Sequence, residues 1–517
     1  MTNGHGIKVR KRNGSVEPLN LDKIHKMVDE ACEGLGSGVS ASQVEMNSGL
    51  QFFDGIETKD IQEILVRSAS DLISLENPNY QFVAARLLLF GLRKQVFGSD
   101  WVNGHPTVLD HAFKCATKGV YDKEVLGKYN QEEWAKIDSF IDHSRDFLFT
   151  YAGLRQIVDK YLVQDRSSGE VYETPQYMYM MIAATLFQNY TKDRLEYVRR
   201  YYNAISKHKI NIPTPIMAGV RTPLRQFASC VLVDVDDTLD SIFSSDMAIG
   251  RYVAQRAGIG INAGRIRGIN SKIRGGEVTH TGVVPFLKKF EATVRCCTQN
   301  GIRGGSATVH FPIWHREIED IIVLKNNKGT EDNRVRKLDY SIQISKLFYE
   351  RFIQDGEITL FSPHDVPGLY DAFGTDRFDE LYVDYERDTT VPRKTIGAQE
   401  LILDLLKERA ETGRLYIMNI DHCNSHSSFL DKVNMSNLCQ EITLPTDPIQ
   451  HIDGEGEIAL CILSAINVGK IHKLDDLEEL CDLAVRGLEE LIDYQQYPVR
   501  SEEHTSELQS QFRISYA

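Results

Sequence analysis

The sequence predicts an α/β protein in which a mostly helical N-terminal part leads into alternating strands and helices. Three observations predict it. Apolar residues recur at helical spacing through 22–97 and again through much of 98–210. At 211–230 the chain reads NIPTPIMAGVRTPLRQFASC, where three prolines and two Thr-Pro pairs mark a rigid, irregular segment rather than a helix. Beyond 307, strand-like runs (ATVHFPIW, RKLDYSIQIS, ITLFSP) alternate with helical ones (HREIEDIIVLK, LFYERFIQ), the order expected of parallel strands joined by helices.

Bulk properties narrow the function classes. A chain of 517 residues should hold more than one domain and bury substantial cores. With 42% hydrophobic and 26% charged residues it is ordinary for a globular protein, and its net charge of −14 argues against a general nucleic-acid surface. A phosphate site must therefore be a local basic pocket. The opening MTNGHGIKVRKRNGS lacks the apolar core of a signal peptide. The most apolar run, Tyr177–Phe187, is too short to span a bilayer and reads as a buried helix, so no membrane association is expected. Nine cysteines without CxxC or zinc-type spacing fit a reducing compartment and a cytoplasmic location. Fifteen histidines show no HExxH or clustered spacing, so no metal is expected in this chain.

In chain order, V-R-K-R-N-G is an Asn-Gly turn closing a β-hairpin, with Ser15–Leu21 as the returning arm. Asn20 or Asp22 caps a helix, and helical patterns follow at 22–34, 41–51, 58–75 and 77–97. Taken alone, Lys11 and Arg12 form a solvated hairpin tip. Residues 98–210 are mostly helical, including Tyr151–Asp165 and Gln176–Lys207, with breaks at Asp122–Lys123 and Ser167–Gly169 and no catalytic constellation. Two loops then suit a nucleotide: Asp237–Leu239 and Arg256–Arg274. In the second, AGIGINAGRIRG sets Arg265, Arg267 and Arg274 among glycines that let a backbone approach a phosphate. A Rossmann context is missing, which excludes dinucleotide binding of that type. A helix at Ala398–Thr412, a strand at Arg414–Asn419, and a buried strand and loop at Glu457–Gly469 carrying Cys461 complete the pattern.

Between these last strands lies NMSNLCQEITLPT, Asn434–Thr446. In an extended segment Asn437, Cys439 and Glu441 point to one side, presenting an amide, a thiol and a carboxylate together, with Leu438 and Gln440 turned away. Such a set holds a hydroxyl, supplies a reactive sulfur and takes a proton. The same pattern is also that of a strand with one buried cysteine.

NLCxEIxLPT resembles the finger loop of the large, catalytic subunit of class I ribonucleotide reductases, and other motifs of that family follow in order from about residue 7 to 499. The resemblance implies an ATP-cone domain at 1–97, a helical domain at 98–212, and at 213–499 the first half of a ten-stranded α/β barrel around a central finger loop. It implies reduction of ribonucleoside diphosphates to deoxyribonucleotides by thiyl-radical chemistry. Cys439 would carry the transient radical, Glu441 act as general base at the 3′-hydroxyl, and Asn437 position the substrate. Cys230 and Cys461 would give the two electrons and close to a disulfide. Thr214 and Ser229 match substrate-contacting positions.

The resemblance also assigns allosteric sites. Lys11, Glu17, Pro18, Leu19, Asn20, Leu21, Asp22, Lys23, Thr58 and Lys94 match positions that bind ATP or dATP. Asp237, Thr238, Leu239, Arg267 and Arg274 match a specificity site for dNTP effectors, and Gln299 and Arg303 a loop joining effector to substrate. Gly91 and Gln62 stand where the family leads one to expect histidines, and Asn300 where it leads one to expect glycine. Implied partners are a metal-containing small (beta) subunit that supplies the radical, a second alpha chain, and thioredoxin or glutaredoxin. No cofactor is implied within this chain. Cys32, Cys115, Cys296, Cys297, Cys423 and Cys481 are left as structural thiols, with only Cys297 at a suspect loop edge. A cobalamin-dependent class II reductase and a regulatory nucleotide-binding module are the competing readings.

After Pro498 the resemblance stops. Arg500–Ser510 reads RSEEHTSELQS, like the translation of a common sequencing-library adapter, so 500–517 are expected to be an artefact. A chain ending there would be an open half-barrel with exposed strand edges, expected to be inactive.

Overall fold

The Asn13-Gly14 turn forms as expected. Gly14 has φ +85°, a conformation other residues resist, and Lys8–Arg10 pairs antiparallel with Val16–Pro18. Asn20 caps the helix Leu21–Cys32, its side chain accepting from the Lys23 amide at 3.0 Å. The structure, a computed structural model, describes residues 6–49, 51–98, 104–297, 304–452, 454 and 456–499. Gln299, Asn300, Arg303 and the 500–517 segment lie outside these. Two units emerge: Met1–Arg225 with Ser464–Tyr494, and Gln226–Leu463 with Gln495–Ala517.

In the first unit a third strand that the sequence did not suggest, Ile56–Glu57, runs parallel to the hairpin. Helices Ala41–Gly49, Thr58–Ser70 and Tyr80–Phe97 complete the cone-like part. The fourth helix starts at Tyr80 rather than at 77, since Pro78 disfavours helix at Asn77, and the third stops at Ser70, short of the expected 75. The helix beginning at Tyr151 stops at Lys160, and Gln164–Asp165 turns into a small ladder with Glu170–Val171. The run expected at 176–207 divides into Pro175–Leu186, buried along its whole length, and Arg194–Ser206, parted by Asp193 at φ +55°. Thr214–Gly219, expected to be irregular, is a short helix. Pro215 near its start costs nothing, since the N–H it lacks would be unpaired there.

The return of 464–494 to this unit has a visible cause. Ala465–Ile466 pairs antiparallel with Ile210–Asn211. The helix Leu474–Tyr494 buries Leu480, Leu483, Leu488 and Leu491 along one face, and Gly487 leaves room for the Tyr201 ring.

The second unit is built on a six-stranded sheet. Its order is Leu415–Asn419, Asp339–Ile344, Ala307–Pro312, Gly258–Asn262, Cys230–Asp234, Ile458–Cys461. The first five strands run parallel and the last runs antiparallel to its neighbour, a departure from the all-parallel half expected. Glu357–Phe361, read from ITLFSP as part of the alternation, pairs with Arg393–Gly397 in a separate two-stranded ladder. The registers give the sheet two unlike faces. One carries Val231, Val233, Ile259, Ile261, Val309, Phe311, Ile342 and Ile344, the centre of a large apolar core. The other carries Cys230, Asp234, Gly258, Gly260, Asn262, Thr308, His310, Ser341 and Gln343. The functional loop lies on that second face.

Candidate active site

The Asn434–Thr446 segment is not a strand. Leu438–Gln440 forms a turn, with Gln440 at φ +65° and its amide donating to the Asn437 carbonyl at 3.4 Å. The i, i+2, i+4 argument for Asn437, Cys439 and Glu441 therefore fails in its premise. The turn leaves Cys439 and Glu441 exposed at the tip and buries Asn437 completely. Ile442 and Leu444 then return to the interior, with Met435 beside Cys230, Leu232 and Cys461.

The polar sheet face seats this loop. A Cβ on Gly260 would overlap the Ser436 carbonyl oxygen, and one on Gly258 would come to 2.7 Å from the Leu438 side chain. These glycines, read from the sequence as a phosphate loop, are a buried strand whose bareness admits the loop backbone. Thr308 donates to the Leu438 carbonyl at 2.6 Å, Gln343 to that of Asn434 at 2.5 Å, and Gln440 donates to Ser341. At the stem, the Asn262 and Asn434 amides donate to Asp234 at 2.6 and 3.4 Å. Burial raises the Asp234 pKa to about 6, against the pull of Arg265. Arg265, grouped with the phosphate-loop arginines, turns inward toward Asp234 and pairs with Asp371 at 2.6 Å.

Around the turn the chemistry-bearing groups converge. The Asn437 amide donates to the Cys230 sulfur at 3.1 Å, while its carbonyl oxygen accepts the Ile442 amide at 3.1 Å. The Cys230 thiol donates toward Glu441 at 3.6 Å. Cys461 lies directly opposite Cys230 across two antiparallel strands. Directly opposed residues have Cα atoms about 4.5–5.5 Å apart, inside the range a disulfide spans. Burial, reinforced by the Glu441 charge, pushes Cys230 up to about 11; burial and the neighbouring Cys230 push Cys461 up to about 12. Both rest as thiols at neutral pH. Ser229 donates its amide to the Cys461 carbonyl at 3.1 Å, with its hydroxyl 3.7 Å from the Cys230 sulfur. Burial, then the neighbouring Cys439, holds the Tyr416 phenol above its usual range, a residue not singled out in the sequence. Alternation in CVLVD, GIGIN, ATVHFP and DYSIQI was the available signal for this polar face.

The other expected site residues fall in two places. In the first unit, Lys94 is depressed by burial and then by Arg12, Lys11 and Lys23, so four cations gather there. Arg12 is exposed in the hairpin turn, as its reading as a solvated tip expects. Lys11 also pairs with Glu17 at 3.4 Å. Pro18 ends the second hairpin strand, and Leu19 donates to the Ile7 carbonyl. Leu21 and Asp22 open the first helix, and Thr58 opens the third. Gln62 folds over Gly91, 3.0 Å from where a Cβ would stand. Thr214 lies 3.3 Å from the Tyr161 hydroxyl. In the second unit, Asp237 accepts from the Arg267 amide at 2.9 Å and from its guanidinium at 2.7 Å. Thr238 caps the helix Leu239–Ala254, Leu239 is exposed, and Arg274 sits in a turn at φ +52°. Of the thiols expected to be structural, Cys115 is buried, but Cys296 and Cys481 are exposed and so fill no core.

Fold and site together define an α/β protein with a thiol site on the polar face of its sheet. Three family descriptions match in order: an ATP cone domain at 7–95, the all-alpha domain of ribonucleotide reductase at 147–225, and its barrel domain at 228–512. The ribonucleoside-diphosphate reductase subunit alpha of Haemophilus influenzae is 55% identical over 507 residues, covering 97% of this chain and 66% of that protein. The Escherichia coli ribonucleoside-diphosphate reductase 1 subunit alpha is 54% identical over 449 residues, covering 86% and 58%. That of phage T4 is 45% identical over 501 residues, covering 95% and 66%. The chain belongs to the ribonucleotide reductase family, among its class I large subunits. It spans about two thirds or less of the length of these curated relatives. Among the described residues no helix is long and apolar enough to cross a membrane.

Proposed function

We propose that the protein is the catalytic subunit of a ribonucleoside-diphosphate reductase, acting in the cytoplasm to make DNA precursors. One observation carries this reading: a single loop holds Asn437 and Glu441 on Cys230, which faces Cys461, while Cys439 stands exposed at the loop tip. A sulfur radical at Cys439 removes the 3′-hydrogen of the ribose, since S–H and activated C–H bonds have comparable strength. Glu441 takes the 3′-hydroxyl proton, and the 2′-hydroxyl then leaves as water. Cys230 and Cys461 supply two electrons and two protons and become a disulfide. Glu441 then gives the proton back to the 3′-oxygen, and Cys439 gives the hydrogen back to the 3′-carbon, which restores the sulfur radical. An external dithiol of thioredoxin or glutaredoxin type resets the disulfide.

The radical comes from a metal-containing small subunit, and the alpha chain works as a dimer. ATP or dATP occupies the cation cluster of Lys11, Arg12, Lys23 and Lys94, where ammonium and guanidinium groups suit a triphosphate. A deoxynucleoside triphosphate occupies the region of Asp237, Thr238, Leu239, Arg267 and Arg274, and Gln299 and Arg303 relay its identity to the substrate. The test uses a protein extended to the full length of its relatives, with a small subunit and cytidine diphosphate. Reduction should be abolished by Cys439→Ser, and also by Cys461→Ser, because one thiol of the pair cannot supply both electrons. Undiminished reduction in Cys439→Ser would overturn the mechanism.

A further inference from the structure

A second thiol pair lies apart from the finger loop. Cys296 ends the helix Val284–Cys296, and Cys297 follows it with φ −88° and ψ 56°, already outside helical geometry. Their sulfurs are 3.8 Å apart. Cys296 is exposed and its thiol donates toward the Thr293 carbonyl at 3.4 Å. Cys297 is half-buried, its sulfur set against Gly250 of the helix Leu239–Ala254. Burial, then the adjoining Cys296 thiol, holds Cys297 above the usual thiol range. The two differ in access, and that orders their chemistry.

We propose that Cys296 and Cys297 form a vicinal dithiol that reacts with small disulfides and closes to a Cys296–Cys297 disulfide. The exposed Cys296 thiolate attacks a small disulfide RSSR, forming a Cys296–SR mixed disulfide and releasing RS⁻, which takes up the Cys296 proton. Cys297 then attacks the Cys296 sulfur, breaks the bond to the second R group and releases the second RSH. The protein loses two electrons and two protons, and RSSR becomes two RSH. Consecutive Cα atoms are about 3.8 Å apart, shorter than an ordinary disulfide spans, so the bond is strained and easily reduced. Adjacent side chains on a regular helix diverge by about 100°, and it is the departure of Cys297 from helical geometry that brings the two sulfurs within reach. Closure of the bond from 3.8 Å shifts the end of the helix. It also draws Cys297 away from Gly250. The helix so perturbed meets the one that Thr238 caps, and 298–303 follows directly. A consequence for effector signalling rests on the proposed function above; the dithiol chemistry does not.

The experiment treats the full 517-residue chain with glutathione disulfide, blocks remaining thiols, and digests with trypsin without reduction. Arg295 and Arg303 bound a peptide, CCTQNGIR, that holds both thiols. The expected peptide is unblocked, lighter than the reduced form by two hydrogens, and opened again by dithiothreitol. Cys297→Ser should stop at glutathione on Cys296, and Cys296→Ser should yield no closed peptide. Glutathione held on Cys296 of the unaltered chain would overturn the proposal. So would a fully blocked peptide in a sample where Cys481 carries glutathione. Deoxynucleotide binding by the reduced chain separately decides the effector reading.

Discussion

Cys230 and Cys461 come from strands far apart in sequence, meet across a sheet, and are buried under a loop that hydrogen-bonds one of them. Cys296 and Cys297 are neighbours in the chain, meet where a helix ends, and one of them is open to solvent. The first pair needs the whole fold to exist and is shielded by it. The second needs only a peptide bond and is shielded by little. Burial slows adventitious oxidation by keeping a thiol protonated, so the cross-strand pair depends on a partner delivered to it, whereas the helix-end pair answers to what is dissolved around it.

The largest test breaks the shelter of the first pair. Gly260→Val sets methyl groups where the Ser436 carbonyl lies, and should destabilise the second unit by about 3 kcal/mol in denaturant unfolding. Gly304→Ala, at a position with open space, should stay within about 0.5 kcal/mol. Equal effects would show that the loop does not rest on that strand.

Asn437→Ala comes next. It strips the hydrogen bond from Cys230 and leaves the Ile442 amide without its acceptor, at a cost of about 2 kcal/mol. Alkylation of Cys230 should quicken while that of Cys296 is unchanged. Quickening at both would point to general loosening.

The third test is pH. Cys230 is raised from its ordinary value of 9.0 to about 11 and Cys461 to about 12. Between those limits the unfolded chain has lost thiol protons that the folded chain keeps. Stability is therefore full below pH 9 and falls as pH rises toward 11–12, by about 1 kcal/mol per pH unit for each group. Cys230→Ala should flatten the fall measured by unfolding at pH 8 and 10; an unchanged slope would place its cause elsewhere. The smallest effect belongs to Cys296→Ser, within about 0.5 kcal/mol at an exposed helix end, by the same unfolding measurement.

The sequence made some of this legible and hid the rest for definite reasons. The Asn13-Gly14 hairpin, the Asn20 cap and the helix Ala398–Thr412 follow from local chemistry and form where that chemistry puts them. The turn at Leu438–Gln440 was missed because two-residue spacing looks the same in a strand and in an irregular loop held by side chains of a neighbouring sheet. Gly258 and Gly260 misled because bare backbone serves a phosphate and a packed peptide equally well. The union of 464–494 with the N-terminal unit rests on long-range contacts, above all Gly487 against Tyr201, that no local pattern announces. Arg12 is the exposed hairpin-turn residue that the sequence predicts; its nearness to Lys94 was hidden because Lys94 lies a whole domain-length later in the chain.

The most direct measurement is a disulfide map of the full chain after mild oxidation by a dithiol–disulfide exchange protein, digested at low pH so that thiols cannot reshuffle. The account predicts a peptide joining Cys230 to Cys461, with Cys439 recovered as a thiol. A bridge from Cys439 to either of them, or no bridge at Cys230 under conditions that oxidise Cys296–Cys297, would contradict it.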